Sequence, residues 1–238
     1  MCPVRAGGAA AGLAGAVRLQ PRTRPRHEAA REPALALIRL QWWREVVEGA
    51  KRRHEVASPL SALIGQGVLP PAPLLSMIEA REAEADAPAT LEAFLGRMRL
   101  GPGALAVAAG IVLGADAWAE ARLRELGAAC GVAGTLRNVR AFARQERCVL
   151  PRDVLDAAGL VPETAFGDPD AVLAAVRPTL VACGRDLLGR PGRLPRAIVA
   201  AGLPAVLARR DLARGAPVGP RGASDRLAVV WAAARSVV

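Results

Sequence analysis

The sequence has no tyrosine, one lysine (Lys51), two histidines, three phenylalanines and four tryptophans. Each shortage removes a class of protein. So few aromatic residues, beside abundant alanine, leucine, valine and arginine, favour helix over sheet. His27 and His54 alone are too few for a histidine-based metal site, and no GxSxG turn exists to support a Ser-His-Asp hydrolase. The four cysteines, Cys2, Cys130, Cys148 and Cys183, are scattered and form no CxxC pair. Neither a zinc site nor a disulfide framework is indicated, and they read as reduced cytoplasmic thiols. No apolar run reaches the roughly 20 residues of a membrane-spanning helix. The longest, around Ala104 to Ala115, is interrupted by Gly110 and Gly114 and reads as a buried core helix.

What is present is apolar and basic. Hydrophobic residues make up 52% of the 238, enough for a sizeable core, and the formal net charge is +10. Such a charge invites a nucleic-acid reading. The aromatic residues, however, are not interleaved with the basic ones as a single-strand binding surface needs. Arginine in place of lysine, with much alanine and glycine, is also what a GC-rich coding sequence yields. A nucleic-acid partner is therefore not expected.

Residues 1 to 27 stand apart from residues 28 to 238. They carry five arginines, no acid before Glu28, and an arginine-proline alternation from Pro21 to Arg26. A targeting peptide, a weak signal peptide and a disordered or wrongly translated start all suit such text. A disordered or wrongly translated start is expected. From Ala34 the pattern is helical, with Leu35, Ile38, Trp42, Val46 and Val47 spaced as a core face. Further helices are predicted from Ser58 (serine as cap), after Pro70, after Thr90, up to about Leu113 beyond an interruption at Gly101 to Gly103, and over Ala117 to Phe142. Others follow over Asp153 to Ala158, from Asp168 to Leu187, from about Leu194 to Ala213 and from Ser224 to Val238. This is an all-α chain of eight to ten helices with almost no sheet.

Two segments carry most of the chemical information. In IRLQWWREVVEG, Ile38 to Gly49, adjacent tryptophans are unusual in so aromatic-poor a chain. They are either helix packing, with Trp42 on the core face and Trp43 on the flank, or the wall of an apolar ligand cavity. In the second case Arg39 and Arg44 would lie near an anionic head group. In GVAGTLRNVRAFARQERCVLP, Gly131 to Pro151, two helical glycines cost about 1 kcal/mol each relative to alanine. That cost suggests close packing or a kink beside a ligand at Gly131 and Gly134. Arg137, Arg140 and Arg144 then recur at helical spacing, followed by Arg147. They form either a solvated basic face or a site for a diphosphate or lipid head group, which guanidinium forks bind well.

Both segments resemble the squalene/phytoene synthase family. Its second acidic motif, LRDxxxD, is followed about ten residues after its arginine by RxYLP. Here the run reads LRNVRAFARQERCVLP, with Arg137 and Arg147 ten residues apart and Leu150-Pro151 at the end. REPALALIRLQWWREVVEG is similar to an early helix of one branch, and LPAVLARRDLAR and DRLAVVWAAAR to the last two helices. The resemblance implies an isoprenoid-synthase-type helical domain whose N-terminal helix or helices are missing or divergent. It makes Arg137, Asn138, Arg144 and Arg147 candidates for binding a diphosphate or anionic head group, and Trp42, Gly131, Gly134 and Phe142 candidates for an apolar pocket.

In the synthases, carboxylates one helical turn apart chelate Mg²⁺, and the ions hold the substrate diphosphate. The matching positions here are Asn138 and Phe142. Glu28 and Glu32 have the right spacing for the first acidic motif but lie beside Pro33. Two readings follow. The first is a non-catalytic or impaired relative with no catalytic residue, metal or cofactor. IRLQWW and the stripped motif place it nearest the branch related to mitochondrial complex I assembly factors, implying a prenyl or lipid ligand or a respiratory-complex assembly client. It would be cytoplasmic, with peripheral contact to the inner membrane. The second is an active Mg²⁺-dependent prenyltransferase joining two prenyl diphosphates head to head.

Overall fold

A computed structural model describes residues 26–215 and 220–238, the side chains of 26–34, Ala85 and Ala165 aside. The expectation of a disordered start therefore falls, for residues 1–25, outside the described residues. The helices are α1 (Arg26–Val47), α2 (Ala57–Gly65), α3 (Pro71–Glu82), α4 (Leu91–Met98), α5 (Ala104–Val112) and α6 (Ala117–Arg144). They continue as α7 (Arg152–Ala157), α8 (Thr164–Gly167), α9 (Pro169–Leu188), α10 (Val199–Gly202), α11 (Pro204–Ala213) and α12 (Ala223–Arg235). Among the described residues the only β pairing is an isolated bridge between Arg193 and Val237. The protein is all-α, as its composition suggests. The extra elements beyond the expected ten are the short α8 and the division of the 194–213 stretch into α10 and α11.

The organising element is α6, 28 residues and therefore about 42 Å long. Asp116 starts it, its Oδ1 accepting from the Ala119 amide at 2.8 Å. Leu123, Leu126, Val132, Leu136 and Val139 bury its apolar stripe against α5, α9 and α11. On another side the helix carries small residues, and there it meets the chain before α5 at backbone distance. A Cβ on Gly127 would lie 2.5 Å from the Pro102 carbonyl oxygen and 2.8 Å from Gly103 Cα. One on Gly131 would lie 2.7 Å from Met98 Sδ. The glycine cost read from the sequence thus reflects close packing at Gly131, while at Gly134 nothing lies within 4 Å.

The interruption expected at Gly101 to Gly103 is not a break. Arg99–Gly103 forms one π-helical turn between α4 and α5. Pro102 lacks an amide hydrogen, and the wider turn accommodates it without ending the helix. Two further expectations are corrected. Helix α2 begins at Ala57 with no hydroxyl cap; instead His54 Nδ1 accepts from the amides of Val56 at 3.1 Å and Ala57 at 3.4 Å. Helix α1 starts eight residues before Ala34, and its intended core face is only partly used. Val46 and Val47 are buried, but Leu35 and Ile38 are 52% and 64% exposed. The reason is that α1 packs chiefly on α2 and α3, toward its C-terminal half.

Candidate functional site: an arginine frame closed by carboxylates

The C-terminus of α6 sets the geometry of the frame. Its last carbonyls are closed by a Schellman turn. The Arg147 amide donates to the Phe142 carbonyl at 3.0 Å, and the Glu146 amide to that of Ala143 at 3.0 Å. The turn requires a left-handed residue, usually glycine, yet Glu146 occupies it at φ 53°. The chain then reverses toward α4. Leu150 is buried, the Arg152 amide donates to the Pro88 carbonyl at 2.9 Å, and Asp153 Oδ2 accepts from the Leu91 amide at 2.9 Å.

This reversal carries Arg147 to the acidic segment that follows α3. Its guanidinium lies 5.8 Å from the centre of the Phe142 ring and donates to Glu84 Oε2 at 3.0 Å. Glu84 also accepts from Arg81 at 3.0 Å. Two residues earlier Glu82 holds Arg44 of α1 through both carboxylate oxygens, at 3.0 and 2.9 Å. That hydrogen bonding raises the Arg44 pKa further above its usual range. The two informative sequence segments therefore meet a common partner, the acidic run Glu79–Asp86. Four acids in eight residues were the signal for it, and the sequence reading passed over them.

Arg137 is engaged elsewhere. Its Nη1 donates to Asp211 Oδ1 at 3.2 Å, and Arg221 Nη2 holds the other oxygen at 2.6 Å. Asp211, on α11, is 2% exposed. A second buried aspartate, Asp225 of α12, is clamped by Arg210 at 2.6 Å and Arg214 at 3.0 Å. Cys130, two turns before Arg137 on α6, is pushed up to about 12 by burial, partly offset by Arg221. Burial likewise raises Cys148 and Cys183, so none of the three is a ready thiolate nucleophile.

The other predicted site residues are dispersed. Arg140 pairs with Asp170 at the start of α9 at 2.7 Å, and Arg144 is exposed at the end of α6. Asn138, also exposed, turns back on its own helix, its Nδ2 donating to the Gly134 carbonyl at 2.8 Å. Trp42 and Trp43 meet edge-on at 4.9 Å, and each ring packs on His54, at 5.5 and 5.7 Å. Of the predicted head-group and pocket residues the fold thus joins Asn138 to Gly134 and Phe142 to Arg147. It gives Trp42 and Gly131 different neighbours, and Arg39 is exposed. Arg137, Arg140 and Arg147 each reach a different carboxylate, Asp211, Asp170 and Glu84.

The squalene/phytoene synthase family model matches residues 24–221. The chain belongs to this family. Arg137, Asn138, Phe142 and Arg147 all lie inside the matched span, as do the acidic run and Asp211. Among solved structures the chain is similar to squalene synthase HpnC from Alicyclobacillus acidocaldarius, with 17% identity and a TM-score of 0.49 over 91% of this chain and 77% of that one. No curated protein matches.

The family's ions can be tested against the donor set. A diphosphate-bridging Mg²⁺ needs several oxygen ligands, mainly carboxylates. Asn138 offers only a neutral amide oxygen, its Nδ2 donating to the Gly134 carbonyl, and Phe142 offers nothing. Among the described residues no three His, Cys, Asp or Glu side chains gather as a metal site requires. These residues do not fit the group. No described helix is long and apolar enough to cross a membrane.

Proposed function

We propose that this chain is a non-catalytic or catalytically impaired member of the squalene/phytoene synthase family, with a lipid-binding or assembly role. The observation that carries the reading is the second motif. Its metal positions are Asn138 and Phe142, and its leading arginine is held by Asp211. Asp211, shared with Arg221, partly neutralises that guanidinium, so less of its charge is left to attract a diphosphate. Fold membership alone confers no chemistry. Within the family, the IRLQWW segment favours the branch related to mitochondrial complex I assembly factors, which implies a respiratory-complex client.

The test is calorimetric titration with farnesyl thiodiphosphate, an unreactive substrate analogue, with and without Mg²⁺. Any binding should be unchanged by the ion. Tightening of tenfold or more on adding Mg²⁺ would overturn the reading.

A further inference from the structure

The C-terminal helix presents a surface that the family motifs do not involve. Leu227, Val230 and Trp231 of α12 are 68%, 65% and 55% exposed. Their spacing of three and four places them on one helical face. From Arg226 to Val238 there is no acid, and none from Gly189 to Val199. The fold brings these two stretches together. The Leu194 amide donates to the Ser236 carbonyl at 3.0 Å, and Gly192 and Val238 exchange amide-carbonyl bonds at 2.9 and 3.0 Å.

Two adjoining hollows result. One, of about 510 Å³, is lined by Arg193, Arg196, Arg235 and Ser236. The other, of about 390 Å³, is lined largely by apolar side chains, including Val206, Trp231 and Val238. Trp231 and Arg235 link them, the guanidinium lying 4.6 Å from the centre of the indole ring. Among the described residues Arg193, Arg196 and Arg226 have no carboxylate partner, whereas Arg137, Arg140 and Arg147 each have one. An apolar stripe bearing a tryptophan, flanked by uncompensated arginines, complements one kind of surface. That surface is a bilayer interface rich in anionic lipid.

We propose that α12 and the Arg193–Arg196 segment dock the protein on an anionic membrane surface. Leu227, Val230 and Trp231 enter the interfacial layer, and Arg193, Arg196 and Arg235 hold lipid phosphates. The inference is independent of whether the family site is catalytic.

The test is flotation of the full chain with vesicles of phosphatidylcholine alone, or with about one-third phosphatidylglycerol. Binding is expected only to the anionic vesicles and should weaken at high salt. Arg193→Gln with Arg196→Gln should reduce it at least ~10-fold, since each arginine contributes about a factor of five near an anionic surface. Leu227→Ser with Trp231→Ser should reduce it comparably. All four positions are exposed, so circular dichroism should be unchanged. Leu105→Ser with Val112→Ser, on the exposed apolar face of α5, should leave binding intact. Equal binding to both vesicle types, insensitivity to either α12-side pair, or equal loss with the α5 pair would overturn the proposal. So would absence of flotation, which would leave this face to a protein partner. Inorganic phosphate at millimolar concentration should compete only weakly; full displacement would assign the arginine hollow to a soluble anion instead.

Discussion

Replacing Asp211 with alanine should destabilise the protein more than any single change at the surface of α6. The side chain is 3% exposed, and the two arginines it holds, Arg137 and Arg221, are 18% and 34% exposed. Removing one member of a fully buried ion pair costs about 3–5 kcal/mol, because a charge is left without a partner. Both arginines keep some access to water, so the loss here should be about 2–3 kcal/mol. For a chain of this size each kcal/mol shifts Tm by about 2–4 °C, so Tm should fall by roughly 5–10 °C. The assay is thermal and urea unfolding followed by circular dichroism. In the double variant Arg137→Ala with Asp211→Ala, the losses should fall short of additivity by about 1–2 kcal/mol. A Tm change below about 1 °C, or strict additivity, would refute the idea that Arg137 is committed to Asp211.

Three further outcomes follow from the packing and the charges. Gly127→Ala should destabilise by about 1–3 kcal/mol through overlap with Pro102 and Gly103, whereas Gly134→Ala should stabilise by up to about 1 kcal/mol; equilibrium unfolding distinguishes them. Glu146→Gly should raise stability by about 1 kcal/mol in the same assay by relieving the left-handed backbone at φ 53°. Arg210, and then Arg214, hold the Asp225 carboxyl below its usual range. Its stabilising contribution is therefore complete above the ordinary carboxylate pKa and is lost as pH falls through the depressed one. Asp225→Asn should flatten the acid limb of a stability–pH profile and leave no added dependence above neutrality.

Much of the fold was legible because its signals are local. Thr90 and Asp168 cap α4 and α9 through their own side chains, accepting from amides three residues ahead at 3.1 and 2.9 Å. The long α6 follows from its Asp116 cap and a proline-free run rich in alanine, leucine and arginine that tolerates three glycines. The Gly101-Pro102-Gly103 run carries the same signal whether a helix stops or widens into a π turn, so it was misread. The site was legible in its residues but not in its connections. Arg137 and Arg147 stand ten residues apart within one segment, which suggests a shared anion. Their actual partners, Asp211 and Glu84, are 74 and 63 residues away in sequence. No periodicity reports a pairing of that range. The neutral residues at 138 and 142, by contrast, needed no structure to be recognised.

Turnover tests the central claim most directly. The protein should be incubated with farnesyl or geranylgeranyl diphosphate and Mg²⁺, with pyrophosphate release followed against a protein-free control. The expected result is release no faster than the control at any Mg²⁺ concentration. Metal-dependent release that scales with protein concentration would contradict it and establish an active prenyltransferase.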